Sequence, residues 1–168
     1  NILLVSRDPF SIIKIADFGM AKNDHFGTTT CGTLQYAAPE VILPQTMPRR
    51  YTKECDIWSI GIILYIILSA THPFCMNDER LVYQQIKKAE FSFNGKEWEL
   101  ISKEPKQLIQ SMIVVDPAKR APLSSLLNCD WIKRQSEFFP DKRKRTQPTD
   151  YVSLKQDTVS KLELEGKI

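Results

Sequence analysis

The sequence predicts a mainly α-helical domain that opens with a small β-hairpin, and three observations carry that prediction. Two β-rich runs, Ile2-Leu3-Leu4-Val5 and Ile12-Ile13-Lys14-Ile15, flank Asp8-Pro9, a turn signal. The stretch from Ile57 to Ala70 is apolar nearly all round, the pattern of a helix enclosed by protein. Leu108, Ile109, Met112 and Ile113 recur at helical spacing. A length of 168 residues with 42% hydrophobic content is enough for one domain with a sizeable core.

The elements follow in order. After the hairpin, residues from Asp17 to Glu40 show little helical periodicity, are rich in Thr and Gly, and end at Pro39. Long loops of this kind inside compact domains are usually functional or disordered. The central helix is expected over Asp56 to Ala70 and is ended by His72-Pro73-Phe74, because Pro73 has no N–H to continue the ladder. Asn77 is the expected N-cap of a helix through Lys88. Ser102 is the expected cap of the next, with Pro105 in its first turn and Asp116-Pro117 as its stop. A last helix is expected over Leu123 to Ile132. Beyond Arg134 a basic cluster, Lys142-Arg143-Lys144-Arg145, leads into a polar stretch with few large apolar residues. The division is thus a folded portion over 1–134 and a basic, flexible tail over 135–168.

Composition excludes several classes. A net charge of +3 is too mild to imply binding to nucleic acid or to a membrane surface. The Ile57–Ala70 run is shorter than the roughly 20 residues a membrane span needs. Cys31, Cys55, Cys75 and Cys129 form no CxxC pair, which disfavours a zinc site or a disulfide framework and fits a reducing compartment. The chain begins at Asn1 rather than at a methionine and is expected to be a fragment.

Asp17-Phe18-Gly19 follows directly on the second β-rich run. Phosphoryl transfer needs a carboxylate that holds Mg²⁺ against the ATP phosphates while charge spreads over the moving group. Asp17 is the candidate, with Phe18 packing to set its position and Gly19 allowing the backbone to turn. Alone, this tripeptide reads equally as a strand-end turn. Ala38-Pro39-Glu40 at the end of the long loop, alone, is a helix start with Pro in the first turn and Glu at the positive end of the dipole. The two motifs together, one loop length apart, are far more specific.

In that order and spacing the chain resembles the protein kinases from Asn1 through Ile132, and the implied fold is the C-terminal lobe of the protein kinase-like fold, α+β overall. Asn1-Ile2-Leu3-Leu4 resembles the end of the family's catalytic loop, which makes Asn1 the ligand of a second Mg²⁺ beside Asp17. Asp56-Ile57-Trp58-Ser59-Ile60-Gly61 resembles the DxWSxG helix start, in which the Asp hydrogen-bonds the catalytic-loop backbone. Arg120 resembles the late arginine that pairs with the glutamate of Ala-Pro-Glu, implying a buried Glu40–Arg120 pair. Cys31-Gly32-Thr33-Leu34-Gln35-Tyr36 is similar to the substrate loop of serine/threonine kinases. The resemblance implies that Thr33 supports the catalytic base, and that Gly32, Leu34, Gln35 and Tyr36 shape the pocket beside the acceptor. Thr28, Thr29 and Thr30 are candidate activation-loop phosphosites.

Finer features resemble the calcium/calmodulin-dependent kinase group, and within it the checkpoint kinases of DNA-damage signalling. They are the CGTLQYAAPEVI run, the insertion from Leu43 to Tyr51, the segment QQIKKAEFSFNGKEW, and IVVDPAKR followed by a helix ending in Asp130-Trp131-Ile132. The resemblance implies ATP and Mg²⁺ as cofactors, and Ser- or Thr-bearing proteins as substrates. It further implies a second copy as partner through the activation segment, no direct contact with nucleic acid or membrane, and a nuclear or otherwise cytoplasmic location. The glycine-rich loop, the ATP-pairing lysine, its glutamate and the catalytic base precede Asn1 in the family order. The expectation is that this chain by itself does not transfer phosphate. A pseudokinase or non-catalytic regulatory fragment acting as a binding module is the alternative reading.

Overall fold

A computed structural model of the protein describes residues 1–7, 11–19, 21, 34–42, 52–74 and 77–138. The Asp8-Pro9 turn, Thr28, Thr29, Thr30, Gly32, Thr33, the Leu43–Tyr51 insertion and the Lys142–Arg145 cluster lie outside these residues. The chain divides into two compact units, with Asn1–Ala16 in one and Asp17–Lys133 forming the other.

In the first, β1 (Ile2–Leu4) pairs antiparallel with β2 (Ile13–Ile15), Ile2 opposite Ile15 and Leu4 opposite Ile13. The Val5 N–H donates to the Ile12 carbonyl at 3.0 Å, and the Ala16 N–H to the Asn1 carbonyl at 2.9 Å, extending the ladder past both strand ends. Among the described residues the fold is mostly helical with one two-stranded antiparallel sheet, the arrangement of a kinase C-terminal lobe.

The second unit is built on α2 (Glu54–Ser69), which carries Trp58 and Ile62 into full burial. Gly61 is what lets α4 (Lys103–Met112) approach it: a Cβ there would stand 2.8 Å from Ile113 Cγ1 and 2.9 Å from Met112 Cβ. Around this contact gather Ile86 of α3 (Glu79–Lys88), Ile109, Trp98 and Phe74. An aromatic group closes one side. Tyr65 and Phe93 each lie 4.6 Å from Trp98 between ring centroids, and the Tyr65 hydroxyl donates to the Ser92 carbonyl at 2.8 Å.

Several sequence expectations are corrected here. The central helix begins two residues before Asp56 and ends at Ser69, before Pro73 can act. The cause is Ala70, which adopts the left-handed conformation (φ 55°) and returns its N–H to the Ile66 carbonyl at 2.8 Å. The helix is not enclosed all round: Ile60 and Ile67, on one stripe, are 45% and 71% exposed. Asp78 rather than Asn77 caps α3, its carboxylate accepting the Arg80 and Leu81 N–H groups at 2.9 and 3.1 Å. Ser102 occupies the cap position of α4, but its hydroxyl donates to the Glu104 carboxylate at 3.1 Å instead of accepting a backbone N–H. The α4 helix stops at Met112, with Asp116 capping a separate 3₁₀ turn, Pro117–Lys119. The expected last helix is two, α5 (Leu123–Asn128) and α6 (Asp130–Phe138), parted where Cys129 takes an extended backbone (ψ 144°). The second of these runs past Arg134 to Phe138, into the stretch read as tail.

Candidate functional site

Asp17 stands two residues beyond β2, exposed, with φ at 63°. Aspartate tolerates this left-handed backbone better than most side chains do, and non-glycine residues held there concentrate at functional positions. The left-handed residue of the turn is thus Asp17, not Gly19. What Gly19 supplies is a close N–H: it donates to Asp17 Oδ1 at 3.3 Å, and a Cβ at Gly19 would stand 3.3 Å from that same oxygen. Phe18 is 68% exposed. The hydrogen bond orients one carboxylate oxygen.

Asn1 lies in the other compact unit, exposed at the edge of the hairpin. Its amide oxygen and the Asp17 carboxylate are hard oxygen donors, the type Mg²⁺ prefers. Among the described residues no three His, Cys, Asp or Glu side chains gather into a metal cluster. The amide and the carboxylate are each a kind of donor that Mg²⁺ takes alongside phosphate oxygens and water.

The segment that follows is tied down at several points. Leu34–Tyr36 form a 3₁₀ turn, with Leu34 packed on the core, Gln35 half-buried and Tyr36 38% exposed. Ser59 of α2 donates its hydroxyl to the Tyr36 carbonyl at 2.8 Å, and the His72 ring meets the Tyr36 ring edge-on at 5.5 Å. Three residues on, α1 (Pro39–Ile42) buries Pro39, Val41 and Ile42 and turns Glu40 toward Arg120.

Arg120 joins the most distant parts of this unit. Its side chain is fully buried, and both its Nη atoms donate to the Glu40 carboxylate at 2.7 Å, a bidentate pair. Nη1 also donates to the Glu54 carbonyl at 2.7 Å and Nε to the Val114 carbonyl at 2.8 Å. The guanidinium lies 5.3 Å from the Trp58 ring centre. One cation thereby connects α1, the start of α2 and the chain after α4.

The electrostatics around this hub are mostly inert. The Thr52 hydroxyl, donating to the Glu54 carboxylate, is the main cause that holds that carboxyl below its usual range. Burial, aided by the neighbouring Asp56 carboxylate, pushes the Cys55 thiol up to about 12, so it is protonated and a poor nucleophile. Burial lowers His72 below the usual imidazole range, leaving a neutral ring against Tyr36. Asp56 is exposed, and its carboxylate accepts from the Cys55 thiol at 3.8 Å.

Of the residues singled out from the sequence, the structure brings together Glu40 and Arg120. It places Leu34, Gln35 and Tyr36 in one turn against α2. Gly32, Thr33, Thr28, Thr29 and Thr30 lie outside the described residues. Sequence reasoning gave Ser59 and His72 no part in this region. Ser59 stood inside a recognisable hexapeptide, and its spacing alone could have suggested a role. His72 had no signal beyond its place before a proline.

This geometry, with its ordered motifs, defines a class. The chain belongs to the protein kinase domain family, whose model matches residues 1–132. The similar proteins are serine/threonine kinases. The ovarian-specific serine/threonine-protein kinase Lok of Drosophila melanogaster is 34% identical over 160 residues, covering 94% of this chain and 33% of that protein. Serine/threonine-protein kinase 33 of Mus musculus is 40% identical over 126 residues, or 71% of this chain and 25% of its own. MAP kinase-activated protein kinase 2 of Cricetulus longicaudatus is 34% identical over 144 residues, 82% of this chain and 43% of that protein. The chain thus spans between a quarter and under half of the length of these relatives.

Proposed function

We propose that this chain contributes the metal-binding and substrate-docking parts of an ATP-dependent protein serine/threonine kinase. The observation that carries the reading is Asp17: an exposed carboxylate at a strand end, held in left-handed backbone, with one oxygen oriented by the Gly19 N–H. In this role Asp17 and Asn1 hold Mg²⁺, which when bound neutralises charge on the ATP phosphates during transfer to a Ser or Thr hydroxyl. Thr33 supports the catalytic base, and Gly32 with Leu34, Gln35 and Tyr36 forms the wall beside the acceptor. The Glu40–Arg120 pair fixes the end of that wall against α2. Asp56 orders the catalytic-loop backbone.

Asp17→Ala in the full-length protein tests this. Phosphoryl transfer to a Ser/Thr peptide is expected to fall by more than about a hundredfold, the scale on which charge stabilisation acts in such sites. The melting temperature should stay close to that of the unsubstituted protein, because the side chain is exposed. Retained transfer would sink the metal assignment. Absence of transfer from the unsubstituted protein would favour a non-catalytic binding module.

The finer reading is a checkpoint kinase 2-like enzyme of DNA-damage signalling, nuclear, regulated by phosphorylation among Thr28, Thr29 and Thr30 and by pairing through the activation segment. It is supported by the ordered sequence runs from CGTLQYAAPEVI to IVVDPAKR. Its test is whether transfer activity rises after DNA damage in cells and falls when those three threonines are replaced by alanine.

A further inference from the structure

We propose that His72 is a positioning residue for peptide substrate, holding the Tyr36 side of the docking turn from below; this rests on the kinase reading above. Besides the packing of Leu34 on the core, two contacts hold the Tyr36 end of the turn. Its backbone is held where Ser59 donates to the Tyr36 carbonyl at 2.8 Å. Its one exposed ring, Tyr36, is met edge-on by His72, the ring planes at 89° and 5.5 Å apart. An edge-to-face pair of this kind favours one relative orientation and so fixes a direction as well as a distance.

His72 is itself held firmly enough to transmit position. Both backbone groups of Phe74 face His72 Nδ1, the N–H at 3.2 Å and the carbonyl oxygen at 3.3 Å, and which of the two bonds forms follows the tautomer. Phe74 stacks on Trp58 at 5.9 Å, and Trp58 carries the Arg120 guanidinium at 5.3 Å, which in turn clasps Glu40. Tyr36, at the end of the docking turn, and Glu40, in the helix that follows, are therefore referred to one buried frame through His72 and Arg120.

A second observation concerns the imidazole, whose unpartnered nitrogen is one of three among the described residues, with Trp58 Nε1 and Trp98 Nε1. His72 Nε2 is buried and has no hydrogen-bond partner among the described residues. Such groups are uncommon in folded proteins and call for an explanation other than packing, since an apolar side chain would fill the space without an unpartnered ring nitrogen. Low basicity fits the same picture, because burial keeps the ring neutral and able to lie against an aromatic edge.

The experiment is steady-state kinetics on the full-length protein with a Ser/Thr peptide, comparing His72→Ala, His72→Phe and, as a surface control, Leu100→Ser. Leu100 is 99% exposed and should change neither parameter. His72→Ala should raise the peptide KM roughly two- to tenfold, the worth of one aromatic pair, with the KM for ATP unaltered and kcat at saturating peptide retained. His72→Phe restores a ring beside Tyr36 and should recover most of the peptide KM. Melting temperatures read in parallel separate unfolding from mispositioning, and His72→Phe carries the test if His72→Ala does not fold. An unchanged peptide KM in a folded His72→Ala variant overturns the proposal while leaving the kinase reading intact. So does a parallel fall in kcat and in affinity for ATP, or a His72→Phe variant no better than a folded His72→Ala. No transfer by the unsubstituted protein overturns the kinase reading first, and this inference with it.

Discussion

Replacing Arg120 by Met removes the guanidinium while keeping most of the side-chain stem, and the structure sets the size of the effect. The Glu40 side chain is only 12% exposed, so its carboxylate loses both bonds without gaining full hydration. The carbonyls of Glu54 and Val114 lose their donors as well. Breaking a buried pair by deleting one partner costs about 3–5 kcal/mol, mostly the penalty of the charge left behind. Against a total stability of about 5–15 kcal/mol, that is a large fraction. Urea unfolding followed by tryptophan fluorescence reads it directly, since Trp58 lies beside the guanidinium. The decisive comparison adds Glu40→Gln. If the stranded carboxylate is the main cost, Glu40→Gln/Arg120→Met should recover roughly half of the loss. A loss under about 1 kcal/mol for Arg120→Met, or a double variant no more stable than the single, would refute the reasoning.

Three further outcomes are expected. Gly61→Ala should destabilise by about 1–3 kcal/mol in the same assay, because its Cβ would stand 2.8 Å from Ile113 Cγ1 and 2.9 Å from Met112 Cβ. Ala70→Gly should stabilise by about 0.5–1 kcal/mol, since glycine adopts the left-handed cap without Cβ strain; an unchanged melting temperature would count against that conformation. The pH response follows from His72. Its folded-state pKa is lowered from 6.5, so the unfolded chain binds the proton more tightly. Its contribution is fully present above pH 6.5 and is lost as pH falls from there through the lowered folded value. His72→Phe should flatten the melting temperature in that window. The Glu54 carboxyl, lowered from 4.5, acts only further into acid.

The hairpin and the long central helix were legible because each has an apolar pattern that local geometry can satisfy in one way. The positions where elements stop were less so. Asn77 and Asp78 are both good caps, and the choice of Asp78 depends on which residue the chain holds in extended backbone. The run from Leu123 to Ile132 keeps helical spacing across Cys129, yet the chain breaks there and restarts at Asp130. The end of α2 was assigned to Pro73, the strongest breaker in reach. A left-handed alanine ended the helix first, which no propensity scale would select.

By itself the sequence determined the family, because motif order and spacing are properties of the chain: Asp17-Phe18-Gly19, Ala38-Pro39-Glu40, Asp56 and Arg120 need no coordinates to be read. It also paired Glu40 with Arg120, across 80 residues, through resemblance. Only the tertiary structure decided how that pair is used. It shows one buried cation serving three segments, and Ser59 and His72 converging on Tyr36 from positions 23 and 36 residues further along the chain. The physical reason is that a side chain's partners are set by packing of elements far apart in sequence, whereas a motif is set by its neighbours.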